Sequence, residues 1–119
     1  MPSEKAFETK LKKFLESEGC YCFKVWGGGM QKAGIPDLMI CANGCFIAVE
    51  VKSDTGKPSP LQLYQIAQIN EAGGVGLVLY PKHFDEFKRF ITTLNQLDIA
   101  TNGSWFDFEA EFPNIMKGR

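Results

Sequence analysis

The sequence predicts an α/β fold, a mixed central β-sheet flanked by α-helices, on three observations. An amphipathic helical stretch opens the chain, two β-branched and apolar runs flank an Asn43-Gly44 pair, and a capped helix then leads to a third apolar run. Asn-Gly between two such runs is a strong hairpin signal, which makes these two strands antiparallel. A helix between the second and third runs demands a crossover, so that pair is expected to be parallel with right-handed connection.

Each element follows from local chemistry. Residues 3–18 read as a helix: Ser3 can cap it, Phe7, Leu11, Phe14 and Leu15 recur at helical spacing, and Gly19 stops it. Glu8 falls on the border of that apolar stripe and Glu4 inside it. An acid there is costly unless something pairs with it. Residues 21–26 form a first strand, and the glycine-rich run 27–34 cannot hold regular structure. Pro36 fixes its own φ and pushes Ile35 into an extended conformation, so residues 37–40 enter as a strand with Asp37 at its mouth. Residues 45–52 complete the hairpin.

Beyond a polar turn at 53–58, Ser59 caps a helix with Pro60 at its first position, and Gln62 stands where a capping box needs it. Leu63, Ile66, Ala67 and Ile69 are expected on its sheet-facing side, with Gln65 and Gln68 in solvent, and Gly73-Gly74 end it. Residues 75–80 read as a buried strand, and Phe84, Phe87, Phe90, Ile91 and Leu94 mark a helix over 83–97. In the tail, residues 104–112 alternate apolar and acidic side chains. That spacing predicts a last strand or extended arm, packed on its own domain or against a second subunit.

Composition narrows the class. A chain of 119 residues is expected to form a single domain, 1–119, with its core over about 4–97 and an extension at 103–119. No apolar run reaches membrane-spanning length and no signal-peptide pattern opens the chain, so a cytoplasmic protein with no membrane partner is expected. A net charge of −1 argues against a generic polyanion binder. Any phosphate ligand must therefore meet a local positive field from basic side chains or a bound metal. Cys20, Cys22, Cys41 and Cys45 lack the Cys-x-x-Cys spacing of structural zinc knuckles and read as reduced thiols, with a zinc cluster between the two pairs as the alternative.

The residues that carry chemistry lie on the predicted hairpin. Side chains alternate along a strand, so Glu50 and Lys52 share one face while Val51 points to the other. If pairing brings Asp37 alongside, two carboxylates converge with a lysine at their edge, an arrangement that is costly without a cation between the acids. Oxygen ligands with water positions left over suit Mg²⁺ or Mn²⁺. Glu-x-Lys alone arises by chance about 0.4 times in a chain this long, but with Pro-Asp closely upstream the expectation falls to about 0.02. The loop before Asp37 reads either as a flexible connector or as a flap in which Gly28 and Gly29 let a nucleic-acid backbone approach and Lys32 touches phosphate.

Gly34-Ile35-Pro36-Asp37, Glu50-Val51-Lys52 and Ser59-Pro60-Leu61-Gln62, in that order, resemble the PD-(D/E)XK nuclease superfamily. The likeness is strongest to its VRR-NUC branch of small viral and repair nucleases, with archaeal-type Holliday-junction resolvases as close relatives. It covers about residues 4–97 and implies a restriction-endonuclease-like core. It also implies a metal-dependent DNA endonuclease acting as a homodimer on branched DNA such as four-way junctions. The resemblance assigns Asp37, Glu50 and the main-chain carbonyl of Val51 to one metal ion. Lys52 is assigned to water and phosphate, and Gln62 to the active centre. Glu8 is implied as a further metal residue because Leu11, Leu15 and Gly19 follow it as apolar and glycine positions follow the first-helix glutamate of resolvases. Glu4 is the reserve. The run before Asp37 is poorer in basic residues than is usual for such proteins, Lys32 standing alone. A DNA-binding or assembly protein that keeps the fold without turnover is the alternative reading.

Overall fold

The structure, a computed structural model, describes residues 3–26, 33–98 and 107–117. Helix α1 (Glu4–Ser17) starts where Ser3 Oγ accepts the Ala6 N–H. The chain then turns at Gly19 with φ 77°. Strands β1 (Tyr21–Lys24), β2 (Leu38–Ala42) and β3 (Cys45–Val51) form an antiparallel meander. Its tight turn has Asn43 at φ 50° and Gly44 at φ 79°, the two positive values that the predicted hairpin requires. Asn43 also donates its amide to the carbonyls of Leu94 and Leu97, tying the hairpin to the end of a later helix.

Helix α2 (Pro60–Glu71) leads to strand β4 (Val75–Leu79), which pairs parallel with β3 and completes the sheet order β1-β2-β3-β4. A single 3₁₀ turn at Pro81–His83 precedes helix α3 (Phe84–Gln96). Among the described residues no helix is long and apolar enough to cross a membrane.

The two faces of the sheet are covered unequally. Leu38, Ile40, Ile47, Val49, Val51, Leu77 and Leu79 meet Phe7, Leu11 and Leu15 of α1 and Phe87, Phe90, Ile91 and Leu94 of α3 in one buried cluster. The opposite face is covered by α2, whose Ile66 packs over Gly76; a Cβ there would lie 3.0 Å from the Ile66 carbonyl oxygen. Of the four residues expected to face the sheet from α2, only Ile66 is buried, whereas Leu63 and Ala67 are exposed. Tyr21, Phe23 and Phe46 also stay exposed; by register they share the α2 face with Met39 and Cys41.

The tail corrects the sequence reading over its described part. Instead of a strand it forms two short helices, α4 (Phe108–Glu111), capped by the Asp107 carboxylate on the Ala110 N–H, and α5 (Pro113–Met116). Phe108 and Phe112 lie four apart, a spacing that fits a helical turn as well as a strand, and Pro113 favours a helix start. Phe108 and Phe112 stack edge-on against Phe90, and Phe112, Ile115 and Met116 are buried in the α3-side core. Residues 104–106 of the predicted strand lie outside the described residues.

Candidate active site

The sheet register sets the geometry. Leu38 pairs with Val49, so the residues just beyond them, Asp37 and Glu50, continue the same ladder on the face opposite the main core. Asp37 Oδ2 accepts the main-chain N–H of Val51 at 2.9 Å, and its carbonyl accepts the Val25 N–H at 2.7 Å. Two neighbouring strands therefore fix this one residue. Gly34 seats the loop that delivers it: at φ 81°, with a would-be Cβ only 2.5 Å from the Leu61 carbonyl, no other residue fits against the first turn of α2.

Glu50 is 2% exposed on the central strand. Its Oε2 accepts from Gln62 Nε2 at 3.0 Å and lies 3.3 Å from Lys52 Nζ. Its Oε1 is buried with no hydrogen-bond partner. Burial and the neighbouring Asp37 carboxylate push its pKa up to about 7, against the pull of Lys52. The capping box at α2 holds Gln62 from the other end, its Oε1 accepting the Ser59 N–H at 2.8 Å while Ser59 Oγ accepts the Gln62 N–H. One side chain thus links a helix cap to the buried carboxylate.

Asp37, Glu50, the main chain of Val51, Lys52 and Gln62 come together: strand alternation puts Glu50 and Lys52 on one face, the hairpin pairing adds Asp37, and the start of α2 adds Gln62. Glu8 does not join them. It projects from α1, on the other side of the sheet, where Lys24 Nζ meets its Oε1 at 2.6 Å. Among the described residues no group of three His, Cys, Asp or Glu side chains could hold a metal ion. Glu4 is exposed on the first turn of α1, and Lys32, Gly28 and Gly29 lie outside the described residues. The four cysteines are free, and burial pushes the thiols of Cys20, Cys22 and Cys45 up.

The donor set suits a hard divalent cation. A buried carboxylate that stays protonated to near neutrality, with one oxygen unsatisfied and a second carboxylate beside it, has the chemistry of a site completed by positive charge. Lys52 already supplies part of that charge.

Sequence reasoning missed Glu86. Buried on α3, it accepts from Asn114 Nδ2 at 2.9 Å and from the Ile115 N–H at 2.7 Å, pinning α5 to the domain. Its partners lie almost thirty residues away, so only a buried-side position for an acid on the α3 stripe could have flagged it.

No curated protein matches the chain. Among solved structures, the chain is similar to the 1.6 Å structure of Archaeoglobus fulgidus Hjc, a Holliday junction resolvase from an archaeal hyperthermophile. The TM-score is 0.50 at 23% identity, over 64% of this chain and 68% of that one. That likeness speaks for the fold. The family model described as archaeal Holliday junction resolvase (hjc) matches residues 3–92, most of the sequence and all of the site described above, so the chain belongs to the archaeal Holliday junction resolvase family.

Proposed function

We propose that this protein is a Mg²⁺- or Mn²⁺-dependent endodeoxyribonuclease that hydrolyses phosphodiester bonds in branched DNA, four-way junctions first, and that it works as a homodimer. The observation that carries the reading is the buried Glu50 carboxylate, with the part-buried Asp37 beside it, its Oε2 near Lys52 and its Oε1 unsatisfied. Two acids this close with no cation to hold would only destabilise the sheet. Dimerisation suits a junction, where symmetric strands are cut by two sites.

Asp37, Glu50 and the Val51 carbonyl are the groups that would hold the cation. When bound, it supplies Lewis-acid polarisation of the phosphate and an acidified water. Glu50 must release its proton to serve, so metal uptake is coupled to pH. Lys52 neutralises charge that develops on the phosphoryl oxygens and orients the attacking water. Gln62 is a positioning residue that fixes the Glu50 carboxylate through its own tie to Ser59. Glu8 stays with Lys24 and takes no part in the inner pair. Lys32, with Gly28 and Gly29 giving the backbone room, contacts the DNA strand. Within the wider superfamily, the Gly34-Ile35-Pro36-Asp37 and Ser59-Pro60-Leu61-Gln62 segments favour the VRR-NUC branch.

The test is cleavage of a labelled four-way junction, flap, linear duplex and single strand with Mg²⁺ or Mn²⁺. The junction is expected to be cut first, and Asp37→Ala or Lys52→Ala to abolish cutting while circular dichroism stays native. Full activity in either variant would reject the residue assignment, and equal cutting of linear duplex and junction would reject the substrate.

A further inference from the structure

Beside this site, on the β4 side, lies an open cavity of about 690 Å³. Its floor is Val78, the register partner of Glu50, so it begins one strand away from the buried carboxylate. Its near wall is the 53–58 turn, where a Cβ on Gly56 would lie 3.4 Å from the Lys52 side chain. The far wall is α5, which Glu86 holds in place and which lies beyond the family match at residues 3–92.

The lining has two characters. Lys57, Lys82 and Lys117 stand at its margin, and none of them makes an ion pair among the described residues. Asp54 is the one acid among the lining residues, and it accepts the main-chain N–H of Lys82 at 3.0 Å. In a chain of net charge −1 this is a local excess of positive charge. The inner surface is apolar and aromatic: Leu63, Tyr80 and Ile115, with the Lys82 ammonium 5.5 Å from the centre of the Tyr80 ring. The exposure of Leu63, unexpected for a sheet-facing position, is explained by its place on this wall.

An inorganic phosphate would use the lysines and leave the apolar walls idle. A cavity within the roughly 300–1,000 Å³ range of small-molecule sites accepts a nucleoside as well. We propose that it binds one unstacked nucleotide of the DNA strand next to the cleaved bond. The phosphate lies on Lys57, Lys82 and Lys117, and the sugar and base lie against Tyr80, Leu63 and Ile115. Unstacking costs least where stacking is already interrupted, as at a branch point, or where a nucleotide is unpaired, so the cavity favours branched over continuous duplex. This inference rests on the nuclease reading for its ligand, while its residues are separate from the inner pair.

The experiment uses the full chain carrying Asp37→Asn, which prevents cutting, with Lys57→Glu, Lys82→Glu and Lys117→Glu added singly. Binding of a labelled junction with one unpaired nucleotide at its branch is followed by anisotropy across a salt series. Each reversal is expected to weaken binding about 5–10-fold and to lower the salt slope by about one. Lys5→Glu on α1 leaves both unchanged. Thymidine 5′-monophosphate is expected to shift the amide resonances of Tyr80 and Lys82 more than inorganic phosphate does, and Lys82→Glu to remove those shifts. Unchanged affinity and slope in all three cavity variants would overturn the inference alone, provided the Asp37→Asn parent binds the junction and the unsubstituted protein cuts it. Absence of any DNA binding by the parent would overturn it together with the nuclease reading. Equal shifts from phosphate and the nucleotide would overturn the base-holding part.

Discussion

The side of the sheet packed by α1 and α3 and the side packed by α2 share the same strands and differ in nearly everything else. On the first, Val49 and Val51 lie among aliphatic and aromatic side chains in one continuous core. On the second, Glu50, the residue between them, is just as buried but faces Asp37, Lys52 and Gln62. The first side provides the rigidity that holds the second in a conformation unfavourable on its own. Three residues of one strand, alternating in direction, perform both tasks.

That contrast can be broken from either side. The largest expected effect on stability is on the dry side. Phe87→Ala removes a fully buried ring and is expected to cost about 3–5 kcal/mol in chemical unfolding. Cleavage per folded molecule should hardly change; a variant of unaltered stability would show that this face is not the structural one.

On the charged side the sign reverses. Glu50 has a pKa of about 7 in the fold against an ordinary 4.5, so the native state keeps a proton that the unfolded chain releases. The stability this proton confers is fully present below about pH 4.5 and is lost as pH rises through 7. In metal-free protein above pH 7, Glu50→Gln is therefore expected to stabilise by on the order of 3 kcal/mol and to flatten the pH profile of the melting midpoint. A variant less stable than the parent at pH 8 would show that the site holds its charge without strain.

The smallest effect concerns the link between helix and site. Ser59→Ala removes the cap that organises Gln62 and is expected to cost about 1 kcal/mol, with a few-fold loss of cutting. Loss of stability with cutting unchanged would make Gln62 a capping residue only.

Much of this division is legible in the sequence because it is local. Ser3, Asn43-Gly44 and the Ser59/Gln62 capping box announce the turns and helix starts on which the fold depends. Strand alternation alone puts Glu50 and Lys52 on one face, and Pro36 leads the chain into the strand beginning beside Asp37. What the sequence hides is non-local or ambiguous in period. Phe108 and Phe112 satisfy strand and helix spacing alike, and the structure makes them helical. Helix-side polarity places Glu8 near the apolar stripe of α1 but says nothing of Lys24, which engages it from β1. Glu86 and its anchor on α5, and the bare Oε1 of Glu50, exist only once distant segments meet.

The most direct test of the central claim is a thermal melt at pH 8 with and without millimolar Mn²⁺, on the parent and on Glu50→Gln. A cation held by Asp37 and Glu50 raises the parent's midpoint by mass action, saturating with ion, and leaves the variant's where it was. A parent that does not respond, or a variant that responds equally, would contradict the account and leave a DNA-binding protein that keeps the resolvase fold without its chemistry.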